Sequence, residues 1–106
     1  MDELAIACSL GPRDRQRRLT AIRRLGEAAL LDVEARPDGS LLSFRDSDGV
    51  RDQLAAIVHA EAACCAFLGL TIDSEAGRLT LTISAPPDAM PTVRELTASF
   101  QGTING

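Results

Sequence analysis

The chain has 106 residues, 45% hydrophobic and 25% charged, the balance expected of one globular domain that buries a modest core without metal or disulfide staples. A net charge of −4, no Trp or Tyr and only three Phe argue against nucleic acid as a partner, because phosphate binding needs a basic surface and single strands need aromatic stacking platforms. An odd count of three Cys, no secretory signal and no apolar run of about 18 residues lead to the expectation of a cytoplasmic protein with reduced thiols and no membrane association.

Leu4 to Leu10 reads as a short buried strand that contains Cys8 and closes at Gly11-Pro12. Pro12 suits the first turn of a helix running to about Leu30, with Leu19, Ile22, Gly26 and Ala29 on its inner face. Six of the eleven basic residues, all Arg, crowd this segment: Arg13, Arg15, Arg17, Arg18, Arg23 and Arg24. A solvated outer face is the plain reading of that cluster, and an anion-binding or partner-docking patch the sharper one. Leu31 to Arg36 and Ser40 to Arg45, joined by Pro37-Asp38-Gly39, make a hairpin.

Ser47 and Asp48 are N-cap candidates for the central helix, whose end is expected at Gly69. Leu70 to Asp73 and Arg78 to Ser84 form a second hairpin across Ser74-Glu-Ala-Gly77, with Leu79, Leu81 and Ile83 alternating against polar neighbours. After the break at Ala85-Pro-Pro-Asp88, the residues Ala89, Val93, Leu96 and Phe100 recur at helical spacing, and a loose tail follows from 102 to 106.

Arg18-Leu-Thr-Ala-Ile22 matches Gln53-Leu-Ala-Ala-Ile57, and each helix leads into a hairpin with matched Gly39-Ser-Leu41 and Gly77-Arg-Leu79. The second copy carries a few extra residues near Cys-Ala-Phe. The expected fold is one α+β domain over residues 1–101, ordered β-α-β-β-α-β-β-α. A mainly antiparallel sheet carries packed helices in a ferredoxin-like or related arrangement, with an internal helix-plus-hairpin repeat.

The unusual chemistry falls in the central helix. Leu54, Val58, Glu61, Cys65 and Leu68 lie at alternating four- and three-residue steps, which makes Glu61 the misfit of an apolar stripe. A rotation of about 100° per residue puts Cys65 about 40° to one side of Glu61 and Cys64 about 60° to the other, with His59 turned away to water. Adjacent cysteines disfavour a disulfide between them. As thiolates they suit Cu(I), Hg(II), Zn(II) or As(III), with Cys8 a candidate third ligand. Glu61 is a candidate hard ligand, proton donor or base. Against this stands the packing reading: a free Cys behaves as a small hydrophobe, and a Glu at a stripe edge can reach water.

Ala7-Cys8-Ser9-Leu10, Pro37-Asp38-Gly39 and Glu61-Ala-Ala-Cys64-Cys65-Ala-Phe67-Leu68 together resemble a functionally uncharacterised family of small bacterial proteins. That family has an Ala-Cys-(Ser/Thr)-Leu start and a Glu-x-x-Cys-Cys-x-Phe helix motif, often with Pro where Ala66 stands here. The resemblance implies that Cys8, Glu61, Cys64 and Cys65 belong together, and implies no activity. Three functions follow as expectations. The first is a thiol site for a soft metal or another small thiophilic ligand, formed by Cys8, Cys64 and Cys65 with Glu61 modulating it. The second is a thiol-dependent enzyme, of redox or organometal-cleaving type, using Glu61, Cys64 and Cys65. The third is a non-catalytic homodimeric interaction module in which the cysteines are packed.

Overall fold

The computed structural model describes residues 12–65 and 67–102, with side chains from residue 16 onward except that of Cys64. The expected strand Leu4–Leu10, with Cys8, lies outside the described residues. Within them the order is α1 (Pro12–Ala29), β1 (Leu30–Arg36), β2 (Gly39–Arg45), α2 (Asp48–Cys64), β3 (Gly69–Glu75), β4 (Arg78–Ser84), a short 3-10 turn (Pro87–Ala89) and α3 (Met90–Gln101). The α+β class is therefore the one observed. The strands form one antiparallel sheet in the order β1-β2-β4-β3, against which the helices pack.

Alternation decides which face of the sheet is covered. Ser40, Leu42 and Phe44 of β2 pair with Ile83, Leu81 and Leu79 of β4, and all six are buried beneath the helices. The opposite face carries Thr71, Thr80, Thr82 and Ser84, a polar surface that water can meet, whereas Ser43 on the same face is buried. Phe44 meets Phe100 of α3 edge-to-face, with ring centroids 5.4 Å apart. Beneath α3, Thr97 Oγ1 lies 3.1 Å from Ser40 Oγ and donates to the Val93 carbonyl at 2.8 Å. A buried hydroxyl pair thus satisfies itself where the helix crosses β2.

The repeat is structural. The bounds of β1 and β2 map residue for residue onto β3 and β4, Leu30 onto Gly69 and Arg45 onto Ser84. Two backbone bonds confirm the correspondence: the Asp46 N–H donates to the Gly77 carbonyl at 3.3 Å, and the Ala85 N–H to the Asp38 carbonyl at 3.1 Å. These bonds place Asp38, not Gly39, at the position of Gly77, so the sequence match of the two glycines is one residue out of register. The error arises because a one-residue shift of a Gly-containing turn leaves the local pattern almost unchanged.

The helices depart from the spacing in two places. In α1 the buried residues are Ile22, Leu25, Gly26 and Ala29, whereas Leu19 is 38% exposed. The inner stripe runs 18-22-25-29, and its first place is held by Arg18. Gly26 belongs where it was expected: a Cβ there would collide with the Phe100 carbonyl, so α1 and α3 approach as closely as they do only because that position is bare. In α2, Ser47 is the N-cap, its hydroxyl accepting from Val50 N–H at 3.3 Å. The helix ends at Cys64, well short of Gly69, which instead opens β3.

The β3–β4 turn contains the one described non-glycine residue with positive φ, Ala76 at 52°, followed by Gly77 at 80°. Left-handed backbone costs an L-residue with a Cβ about 1–2 kcal/mol, less for Asn. Ala76→Asn should stabilise the fold by about 0.5–1 kcal/mol, read as a higher urea midpoint at unchanged m-value. Gly26→Ala should cost about 2–3 kcal/mol in the same measurement.

Candidate functional site

The site lies where α2 runs out. Cys64 is the last helical residue and Cys65 the C-cap, with φ −124° and ψ 80°, outside the helical region. The Cys65 N–H donates to the Glu61 carbonyl at 2.7 Å as the last helical bond, and the Leu68 N–H returns to the Cys65 carbonyl at 3.0 Å to close a turn. This turn carries the chain from helix to strand and buries Leu68. α1 has no such turn, because it passes directly from Ala29 into Leu30 of β1. The extra residues of the second repeat are therefore Cys65 to Leu68, as the sequence match suggested.

Since Cys65 has left the helix, the angular relation of Cys65 to Glu61 expected from a continuous helix does not hold. Cys65 is engaged in no disulfide and, as a residue, is 5% exposed, among the residues of the hydrophobic core. Cys64 contributes its backbone to α2, and its side chain lies outside the described set. His59 is exposed on the far side of the helix, as expected.

Glu61 is neither a core residue nor a solvated one. Its carboxylate accepts an ion pair from Arg18 Nη1 at 3.3 Å, with side chains only 14% and 9% exposed respectively. Arg18 thus stands inside the protein, while Arg17, Arg23 and Arg24 are exposed as the outer-face reading requires. Composition alone did not single out Arg18. The signal lay in position: one charge on the inner stripe of α1 and one of opposite sign on the inner stripe of α2 can neutralise each other where the helices meet.

Burial drives the Glu61 carboxyl above its ordinary value of 4.5, and the Arg18 charge opposes that rise without cancelling it. The folded protein consequently holds this proton more tightly than the unfolded chain does. Glu61 adds stability that is fully present below 4.5 and is lost as pH rises through its higher value in the fold.

A second polar cluster lies at the opposite end of α2. Asp46 accepts from Arg51 Nη2 through both carboxylate oxygens at 2.9 Å and from Ser74 Oγ at 3.4 Å, tying the start of α2 to β3. It is too exposed on the Arg51 side to serve as a closed site. Among the described residues, no three His, Cys, Asp or Glu side chains come together as a metal cluster, and no helix is long and apolar enough to cross a membrane. Comparison with family models, curated proteins and solved structures finds no match to this chain.

Arg18→Met should cost about 2 kcal/mol at pH 7, less than a fully buried pair, because Glu61 can escape its lost partner by taking up a proton. The loss should shrink at pH 5, and Glu61→Gln in the same background should restore most of it. Urea unfolding at the two pH values checks all three expectations.

Proposed function

We propose that the protein is a thiol-site protein which binds a soft metal or metalloid ion at the C-terminal end of α2, with Cys65, Cys64 and Cys8 as thiolate ligands. The observation that carries this reading is the turn Cys65–Leu68. It takes Cys65 off the helix beside Cys64 and is, among the described residues, the stretch by which the second helix-plus-hairpin unit exceeds the first. A dry, apolar surrounding such as that of Cys65 favours a soft, largely covalent thiolate bond over hydrated hard cations.

The donors within the described residues fit such an ion only in part. Cys65 is a suitable soft donor, but Glu61 is held by Arg18, so its carboxylate becomes a ligand only by exchanging that ion pair for the metal. Glu61 is better suited to a supporting role, holding the end of α2 against α1. In the cytoplasm, the expected compartment, such thiols would remain reduced and competent to bind.

The burial of Cys65 specifically favours a second reading, in which the cysteines are packing residues of a small interaction module. An enzymatic role for the same thiols and Glu61, redox or organometal-cleaving, additionally needs room for a substrate beside the thiol, which the burial of Cys65 does not provide.

Titration of reduced protein with Cu(I) or Hg(II) should produce a thiolate-to-metal charge-transfer band saturating at one equivalent. Cys64→Ala and Cys65→Ala should each abolish tight binding while the protein remains folded. No band, with the substitutions altering stability alone, would establish the packing reading.

A further inference from the structure

The two outer strands of the sheet differ. β1 is irregular, with a register shift between Leu30 and Asp32 and Leu31 thrown out to 50% exposure. Such a bulge twists an edge away from further pairing. β3 pairs all seven of its residues with β4 without interruption, contains no Pro or Lys, and has no strand on its outer side among the described residues. Its helix-side flank, Leu70 and Ile72, is half-buried and packs against the core rim with Phe67 and Val58.

The β3–β4 turn fixes which backbone groups face outward. Glu75 and Arg78 flank a two-residue loop, so they form a hydrogen-bonded pair, and the ladder then bonds residues 73, 71 and 69 to β4 in alternation. The N–H and C=O groups of Leu70, Ile72 and Ser74 therefore point away from the sheet. We propose that this edge pairs antiparallel with the same edge of a second copy of the chain, about a two-fold axis at Ile72.

Charge and hydrogen-bond phase select that register. With the axis at Ile72, the outward groups of Leu70, Ile72 and Ser74 meet those of Ser74, Ile72 and Leu70 of the other copy. Asp73 then faces Thr71 and Glu75 faces Gly69, with no like charges directly opposed. An axis at Asp73 would oppose two carboxylates, and one at Thr71 would leave Ser74 and Glu75 unpaired. The self-complementary pairing is isologous and closes at a dimer. It repeats across the molecule what β2 and β4 do within it, where Leu42 faces Leu81 at the join of the two repeats. The two Asp73 carboxylates lie diagonally about 7–8 Å apart, so added salt should tighten the dimer.

Sedimentation equilibrium of the full chain from micromolar to millimolar concentration tests the proposal. The expected result is a reversible dimer of the 11.3 kDa chain. Ser74→Pro removes an outward N–H that β4 does not use as well as the hydroxyl bonded to Asp46, so it is compared with Ser74→Ala, which loses the same hydroxyl and keeps the N–H; the dimer should be at least about tenfold weaker in the proline variant than in the alanine one. Thr71→Lys places a cation opposite Asp73 of the other copy and should tighten association about fivefold. A chain that stays monomeric throughout overturns the proposal and leaves this edge to another segment or partner. A dimer indifferent to the proline and lysine substitutions overturns it equally, by assigning association to a different surface.

Discussion

The antiparallel pairing of β2 with β4 is the constraint on which the remaining structure depends. Each of these strands is the inner member of a hairpin, and their junction turns two helix-plus-hairpin units into one sheet with a single apolar face. Leu42, Phe44, Leu79, Leu81 and Ile83 lie at that junction and form the floor on which the helices rest. The reciprocal bonds from Asp46 to Gly77 and from Ala85 to Asp38 lock each hairpin turn to the chain leaving the other. A shift of one residue between β2 and β4 would turn the leucines to solvent and break both bonds, so register, burial and turn geometry specify the same arrangement.

Two departures from this internal symmetry carry the functional interest. α3 lies beside α1 over the central strands, where bare Gly26 admits it, and the equivalent place on α2 is occupied by Glu61. A carboxylate there needs a partner, which Arg18 supplies from α1. The other departure is the turn Cys65–Leu68, inserted just beyond Glu61. Together they make the C-terminal end of α2 the point where a residue of an interhelical ion pair, a helix terminus and a buried cysteine follow one another in sequence.

Much of the fold was legible in the sequence, because hairpins joined at Pro37-Asp-Gly39 and Ser74-Glu-Ala-Gly77 and the alternation Leu79, Leu81, Ile83 are local signals, although β3 runs on to Glu75 and shortens the second turn to Ala76-Gly77. The N-cap at Ser47 and the helix carrying Val93, Leu96 and Phe100 were legible for the same reason. The end of α2 was not. Helical spacing continues through Leu68, but the chain leaves the helix at Cys65 and pairs β3 with β4 from Gly69 onward, a long-range pairing that the spacing of α2 does not encode. Gly69 opens β3 opposite Ser84 instead of capping α2. Likewise, Glu61 was identifiable as a misfit by its position, but its partner was hidden in a run of arginines that differ in nothing but their angle around the helix.

Thiol reactivity of the native, reduced protein, with and without one equivalent of Hg(II), Cu(I), Zn(II) or As(III), tests the central claim most directly. The account predicts three thiols that become protected together by a single equivalent of one of these ions and are released by a competing dithiol. Thiols that are unreactive with or without the ion, and react only when the protein is unfolded, would contradict it and make Cys65 part of the core alone.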